Sequence, residues 1–251
     1  MINYQKLGSL IDINYGFKLF SKYKGLAALP LALPKIEPDS WQDFWSIWNS
    51  EKEKVKRQHI DRGAVGAPKP GFDFTQWDGV SIYEDPELYS IGAWATKISQ
   101  PMIDANTKML TTIFDQLPFV KIRSVRFWSS TVFITPHRDD NLPSSLNRLL
   151  KYPTEIRIMV DDKNPKETFW LADGSKFKSR DNIDPPDRHY VKLPADSNTF
   201  AWNNEDYLHG ADYDPQYQKI LAVVKGWVDV RRLESLIDQS IEKYPEFVVR
   251  I

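Results

Sequence analysis

The sequence predicts a mainly β protein in which helices pack around one β-core. From Phe119 onwards it contains short runs rich in β-branched and aromatic residues. Clusters of Asp, Asn, Gly and Pro separate these runs, and strands at such spacing are typical of a sandwich or barrel rather than of alternating strands and helices. The predicted strands cover residues 120–128, 131–135, 155–160, 168–171, 189–193, 199–202 and 220–230.

The chain of 251 residues is long enough for one large domain with a sizeable core. We expect a single domain with a largely helical N-terminal part over residues 1–118 and the β-core over residues 119–230. A C-terminal helix and tail follow over residues 231–251. Ahead of the first helix, residues 1–36 are expected to form strands or an extended arm.

Three amphipathic helices are predicted around the core. The first begins after Ser40 and ends near Arg57, and its aromatic residues have the spacing of a buried face: Trp41, Phe44, Trp45 and Trp48. We assign this aromatic stripe to core packing rather than to base stacking, because no basic groove accompanies it. The second helix is expected over residues 99–118 and the third over residues 232–243.

Residues 59–78 are rich in Gly, Pro and charge, which predicts a long surface loop. Loops of this length act as lids over active sites or are merely flexible excursions, and the sequence favours neither.

Composition excludes several classes of function. The formal net charge of −1 provides no basic field for nucleic acid or an anionic membrane. The absence of Cys excludes disulfides, thiolate metal ligands and a cysteine nucleophile. The N-terminus lacks the charged and apolar regions of a leader peptide, so a cytoplasmic protein is expected.

The chemistry-bearing stretch is FWSSTVFITPHRDD, an apolar run that ends in His137, Arg138 and Asp139. Residues two apart in a strand share a face, so His137 and Asp139 would present an imidazole and a carboxylate side by side. These are two of the three ligands of the 2-His-1-carboxylate site of non-haem Fe(II) oxygenases. By itself, an H-x-D sequence occurs by chance in many chains and usually marks a solvated turn.

The third ligand must come from the other histidines. His59 ends a charged helix, where a solvated side chain is expected. His189 opens a predicted strand, and His209 follows another in a polar, Gly-containing segment. Because a jelly roll folds back on itself, the end of a late strand can meet the end of an early one, which makes both residues candidates.

The position of a cation favours His209. An oxygenase of this type needs a basic group for the distal carboxylate of a 2-oxo acid, on the strand next to the third ligand. Lys219 stands ten residues after His209, whereas Thr199 stands ten after His189. Lys225 shares the face of Lys219 but lies roughly 20 Å further along the strand, so it is the fallback. The alternative for Lys219 is a strand-edge lysine facing water.

Arg157 is embedded in the apolar strand TEIRIMV, where an arginine needs a charged partner. If Glu155 on the same face is that partner, the pair is structural. Otherwise Arg157 points into the barrel and binds a carboxylate of cosubstrate or substrate. Asn203 and Asn204 orient the third ligand or the substrate, or serve as turn residues.

Taken together, HRD (137–139), TEIRIMV (154–160), FAWNNEDYLHGADY (200–213) and Lys219 resemble the Fe(II)/2-oxoglutarate dioxygenases. Within them they resemble the aspartyl/asparaginyl β-hydroxylase-like and prolyl hydroxylase-like branches. The resemblance covers roughly residues 119–230. It implies a double-stranded β-helix core, that is, a jelly-roll or cupin-like fold.

The resemblance also implies roles for the site residues. His137, Asp139 and His209 would be the iron ligands, and Lys219 would bind the 2-oxoglutarate C5 carboxylate. Arg157 falls on a strand where the family often has an arginine facing the active site. Asp139 favours hydroxylation over halogenation, because related halogenases carry a small residue at this position.

The implied reaction consumes O₂ and 2-oxoglutarate, releases succinate and CO₂, and hydroxylates a C–H bond. The expected substrate is a small molecule, such as a free amino acid, or a side chain of a peptide or protein. Two alternatives remain: a jelly-roll binding or structural module without metal, and a cupin-like metalloenzyme that does not use 2-oxoglutarate.

Overall fold

The computed structural model describes residues 22–61, 78–84, 98–130, 134–137, 154–160, 169–174, 185, 187–203, 206–212 and 219–251. The helices are α1 (Trp41–Asp61), α2 (Gln100–Asp104), α3 (Thr107–Gln116) and α4 (Val230–Lys243). The strands are β1 (Leu26–Pro30), β2 (Asp78–Glu84), β3 (Phe119–Ser130), β4 (Ile134–His137), β5 (Thr154–Met159), β6 (Phe169–Asp173), β7 (His189–Tyr190), β8 (Thr199–Trp202), β9 (Tyr207–Ala211), β10 (Lys219–Val228) and β11 (Val249–Arg250).

Strand pairing arranges these strands in two antiparallel sheets. The larger sheet has the order β11-β1-β8-β5-β10-β3-β2, and the smaller has the order β4-β9-β6-β7. From β3 to β10 the chain alternates between the two sheets, apart from β6 and β7, which are neighbours in the smaller one. Eight strands divided in this way between two sheets make a jelly roll. The predicted fold class, mainly β with a double-stranded β-helix core and flanking helices, is confirmed.

Strands outside the predicted core extend the larger sheet. β1 and β2 precede residue 119, and β11 follows the C-terminal helix. The N-terminal part is therefore not helical throughout, because it supplies two strands. The terminal strands β1 and β11 pair with each other, which brings residues 26–28 next to residues 249–250.

The main hydrophobic core lies between the helices and the outer face of the larger sheet. Phe44 and Trp48 of α1 are fully buried in it, with ring centroids 6.3 Å apart. The ring of Phe44 also meets that of Phe127 on β3 edge to face at 5.2 Å. The predicted role of the aromatic stripe in packing is thus confirmed for its two inner members, whereas Trp41 is 38% exposed.

A second apolar cluster fills the space between the two sheets. It joins Phe169 and Leu171 of the smaller sheet to Phe200 and Trp202 of the larger one. The ring of Phe169 lies 5.6 Å from that of Phe200 and 5.4 Å from that of Trp202. Because strand residues alternate between faces, the larger sheet presents one face to the helices and the other to this inter-sheet space.

The helix predicted over residues 99–118 is wrong in its continuity, because two helices occupy this stretch. Between them, the side-chain amide of Asn106 donates to the carbonyl of Met102 at 2.8 Å. The carboxylate of Asp39 then accepts two backbone N–H groups in the first turn of α3, from Lys108 at 3.0 Å and Met109 at 3.1 Å. Side-chain groups at this junction thus satisfy one carbonyl at the end of α2 and two N–H groups at the start of α3, which stabilises the break between the two helices.

The other predicted helices are confirmed with small changes in their ends. Ser40 caps α1 by accepting from the backbone N–H of Asp43 at 3.3 Å, and the helix continues beyond Arg57 to Asp61. Asp229 caps α4 in the same way. No helix within the described ranges combines the length and the apolar composition that a membrane crossing requires.

Candidate metal centre

His209 lies inside the smaller sheet and faces the space between the two sheets. It is the middle residue of β9, and only 2% of it is exposed. Its ring centroid lies 6.0 Å from that of Phe169 on β6 and 6.1 Å from that of Trp202 on β8. Because the two rings lie only 5.4 Å apart, they form an aromatic wall on one side of the imidazole, which is almost wholly buried.

His137 is the direct partner of His209 in the strand register. β4 is the edge strand of the smaller sheet, and its last residue, His137, is paired with His209 of β9. Residues opposite each other in an antiparallel pair have Cα atoms about 4.5 to 5.5 Å apart and belong to the same face of the sheet. Two imidazoles are a common nitrogen donor set for iron, so this pair of positions fits a metal centre.

The predicted carboxylate ligand, Asp139, lies outside the described residues, as does Arg138. The side chain of His137 also lies outside them. Within the part of the chain that the structure describes, no group of three histidine or carboxylate side chains lies close enough to hold a metal ion. The complete triad therefore stays a prediction, of which the His137–His209 register is the described part.

The register also separates His209 from its rival His189. Both are paired with Leu171 of β6, but from opposite sides, so one strand stands between them. His189 is exposed and lies two strands beyond His209 and three beyond His137. Adjacency to His137 therefore favours His209. His59 belongs to α1, and its side chain lies outside the described residues.

Lys219 opens β10, as predicted from the sequence. It is paired with Ser130 of β3, and its side chain lies outside the described residues. The register of β10 runs without interruption from Lys219 to Lys225, so the two residues share one face of the larger sheet.

Lys225, the fallback candidate for binding the 2-oxoglutarate carboxylate, forms an ion pair with Glu155. Its ammonium group lies 2.7 Å from Oε2 of Glu155, the residue directly opposite it on β5. The other carboxylate oxygen of Glu155 accepts from Nε of Arg157 at 2.9 Å. The Glu155 side chain is only 5% exposed, so this carboxylate is buried between two cations. Of the two interpretations of Arg157, the ion pair with Glu155 is the one found.

Arg157 nevertheless faces the inter-sheet space. Its guanidinium carbon lies 4.1 Å from the centroid of the Trp202 ring and 4.4 Å from that of Phe169. These are the same two rings that lie beside the imidazole of His209. Stacking on aromatic faces and pairing with a carboxylate together stabilise a guanidinium that is only 12% exposed. Arg157 thus packs against the two rings that lie beside His209.

Asn203 serves the turn between β8 and β9. Its amide nitrogen donates to the carboxylate of Asp206 at 2.7 Å, and its amide oxygen accepts the backbone N–H of Asp206 at 3.1 Å. The turn interpretation is therefore the one that applies to Asn203. Asn204 lies outside the described residues.

The aromatic wall is the part of the site that sequence reasoning did not identify. Phe169, Trp202 and His209 come from three strands and two sheets, and no linear spacing connects them. The one available signal was the placement of aromatic residues on predicted strands, which fits general core packing equally well.

No protein-family model matches the chain, and no curated protein does. Similar solved structures include a prolyl hydroxylase from Trichoplax adhaerens in complex with a hypoxia inducible factor oxygen degradation domain peptide fragment. This likeness has 7% identity and a TM-score of 0.40, and it covers 94% of this chain and 97% of that one.

Two further solved structures have similar values. A Pseudomonas putida prolyl-4-hydroxylase has 8% identity and a TM-score of 0.39, over 86% of this chain and 98% of that one. A non-heme monooxygenase, ThoJ in a nickel complex, has 13% identity and a TM-score of 0.34, over 83% of this chain and 77% of that one. At this level of similarity, we argue the function from the site residues themselves.

Proposed function

We propose that the protein is an Fe(II)- and 2-oxoglutarate-dependent dioxygenase that hydroxylates a C–H bond. His137, Asp139 and His209 hold the iron, and Lys219 binds the C5 carboxylate of 2-oxoglutarate. The observation that supports this most directly is the register of the smaller sheet, in which His137 is the partner of a buried His209. The substrate is an amino acid or a side chain of a peptide or protein, and the coproducts are succinate and CO₂.

The chain's own residues prepare the site for this chemistry. His137, Asp139 and His209 would hold the iron, which would bind the 2-oxo acid and O₂ and supply the oxidising power. The rings of Phe169 and Trp202 shield one side of the His209 imidazole from water. Lys219 neutralises the distal carboxylate of the cosubstrate through a charge-assisted hydrogen bond.

Lys219 is preferred to Lys225 and Arg157 as the cosubstrate's cation because of what the other two contact. Lys225 and Arg157 share the carboxylate of Glu155, which already balances one of their two charges. A second carboxylate at this place would compete with Glu155 for the same donors. Lys219 opens its strand, and its partner in the register with β3 is the uncharged Ser130.

Anaerobic addition of Fe(II) and 2-oxoglutarate to the purified protein tests the proposal. Bidentate binding of a 2-oxo acid to Fe(II) gives a weak visible charge-transfer band, which we expect for the wild type. His137→Ala should abolish the band, because it removes an iron ligand. The matched control is His189→Ala, which removes an exposed histidine from the same sheet and should leave the band in place.

Each alternative function predicts a different outcome. A jelly-roll module without metal binds no Fe(II), and His137→Ala then changes stability alone. A cupin-like metalloenzyme binds the metal through the same histidines but shows no band with 2-oxoglutarate. Folded wild-type protein without the band would contradict the proposed function.

A further inference from the structure

A second polar cluster lies on the opposite face of the smaller sheet from His209. Its centre is Asp212, the residue that follows β9. One carboxylate oxygen accepts from the indole Nε1 of Trp170 at 3.1 Å and from Nη1 of Arg188 at 2.7 Å. The other accepts from the hydroxyl of Tyr190 at 2.6 Å. A single carboxylate therefore satisfies three donors.

The strand alternation explains why this cluster and His209 are on different faces. Gly210 is paired with Trp170, and Trp170 with Tyr190, so these positions belong to the face that His209 does not use. Asp212 accepts hydrogen bonds from Trp170 and Tyr190, so its carboxylate lies on this face too. Although Asp212 is only three positions from His209, its carboxylate is engaged on the outer face and is not a partner for a metal bound at His209.

These hydrogen bonds connect the end of β9 to β6 and β7, the two strands on the side away from β4. Trp170 belongs to β6 and is fully buried, and Tyr190 belongs to β7. Arg188 precedes β7 and lies over the Trp170 ring at 4.7 Å. Moving the end of β9 would break three hydrogen bonds at once, two of them to side chains that are themselves stacked. The hydrogen bond to Asp212 also raises the pKa of Tyr190 above its usual value.

On this geometry we propose that Asp212 is a positioning residue for the metal centre. From the outer face of the smaller sheet it fixes the end of β9, and thereby holds His209 in register with His137. This inference rests on the proposed function, in which both histidines are iron ligands. Among the described strands, the four-residue β4 pairs only with β9 in this sheet, so a shift of β9 changes the spacing of the two histidines.

The test compares Asp212→Asn with a matched loss of an ion pair elsewhere. Asp212→Asn keeps the shape of the side chain but removes the charge that pairs with Arg188. The control is Asp196→Asn, which removes a 2.8 Å ion pair to Lys243 at a position that is 59% exposed. Two quantities are measured for both variants: the dissociation constant for Fe(II) under anaerobic conditions, and hydrogen exchange of the backbone amides in metal-free protein.

We expect Asp212→Asn to weaken Fe(II) binding by about 10- to 100-fold, as does the loss of other groups that orient metal ligands. Amide exchange should become faster at residues 207–211 and stay unchanged in β3 and β10. Tyr190→Phe removes one of the three donors, so it should give a smaller change in the same amides. Asp196→Asn should change neither quantity.

Two results would overturn the inference: unchanged exchange at residues 207–211, or an equal increase in all strands, which indicates general destabilisation. If Asp212→Asn does not fold, Tyr190→Phe decides between the same outcomes. A wild type that binds no Fe(II) would refute the proposed function. The exchange data would still show whether Asp212 holds the strand of His209.

Discussion

Glu155 is the residue on which the charges of the site depend. A buried carboxylate with one cation would be a neutral pair, but this one contacts both Arg157 and Lys225. The Lys225 side chain is 41% exposed, so water solvates its ammonium group. The Arg157 side chain is 12% exposed, and its guanidinium is stabilised by Glu155 and two aromatic rings. Removing the carboxylate therefore affects Arg157 most.

Glu155→Gln should lower the free energy of unfolding by about 3 kcal/mol, because it leaves the Arg157 guanidinium buried without its counter-charge. Urea denaturation measures the loss. The matched control is Glu234→Gln, which removes a surface ion pair to Lys22 at 3.0 Å and should cost less than about 1 kcal/mol. Equal losses in the two variants would show that Arg157 does not depend on Glu155.

Lys219→Ala tests the other cation of the site. We expect the 2-oxoglutarate concentration needed for half-maximal formation of the visible band to rise about 10- to 100-fold. The reason is that loss of a hydrogen bond to a charged group costs about 1.5 to 3 kcal/mol. Lys225→Ala is the control, since this residue is engaged by Glu155. A larger effect from Lys225→Ala than from Lys219→Ala would transfer the role to Lys225.

For single residues with distinctive chemistry, the position on a strand could be predicted from the sequence, whereas the role as ligand stays a prediction. His137 and Lys219 stand at strand ends in the sequence pattern, and the structure places both at the end of a strand. The preference for His209 over His189 came from the basic residue that follows it, and the register with His137 agrees with that preference. The Asp212 cluster could not be foreseen, because its donors come from two other strands.

At the scale of elements, sequence patterns failed for two strands, β9 and β2. β9 has the sequence YLHGA, and its Gly and His made it resemble a loop that follows a strand. His209 therefore lies within a strand rather than beyond one. β2 was missed because it follows a Gly- and Pro-rich segment that dominates the local composition. In both cases pairing with neighbouring strands, which is invisible in the sequence, decides the structure.

β10 contains a glycine that its neighbour strand requires. The register between β10 and β3 shifts after Lys225, at Gly226. A Cβ atom on Gly226 would meet the carbonyl oxygen of Lys121 and would lie 2.9 Å from the Cα atom of Ile122. Both are backbone atoms, which cannot move aside as the end of a flexible side chain does.

Gly226→Ala should therefore lower the free energy of unfolding by about 1 to 3 kcal/mol, the usual cost of overpacking a well-packed site. Chemical denaturation with an unchanged m value measures it. Val120→Ala is the control on the same strand pair, because Val120 is 57% exposed and its truncation should have little effect. A loss in Gly226→Ala no greater than that of the control would mean that the two strands separate freely at the bulge.

At the scale of the whole molecule, tyrosine hydroxyls connect parts of the chain that are distant in sequence. Tyr23 donates to the carboxylate of Asp238 on α4 at 2.7 Å, and so ties the segment before β1 to the C-terminal helix. Tyr207 of β9 donates to the carbonyl of Ile251 at 3.3 Å. Together with Tyr190, which donates to Asp212, these contacts link the sheets and both described ends of the chain.

All three of these tyrosines have a raised pKa, for identifiable reasons. Burial is the main cause for Tyr23, reinforced by its hydrogen bond to Asp238. Burial is also the main cause for Tyr207, with the negative charges of Asp206 and Asp173 adding to it. For Tyr190 the hydrogen bond to Asp212 comes first. In each case the folded protein holds the phenol proton more tightly than the unfolded chain does.

The sign of the pH dependence follows from this difference. The unfolded chain releases these protons at its ordinary pKa of about 10, whereas the folded protein still keeps them. The stabilising contribution is therefore complete below about pH 10 and is lost as the pH rises through the folded pKa values.

Urea unfolding at about pH 8 and about pH 11 should show a large loss of stability at the higher pH. Tyr23→Phe and Tyr190→Phe should each make that loss smaller, because each removes one hydroxyl group that ionises more readily in the unfolded chain. If both variants lose as much stability as the wild type between these two pH values, the tyrosine contacts do not cause the loss of stability at high pH.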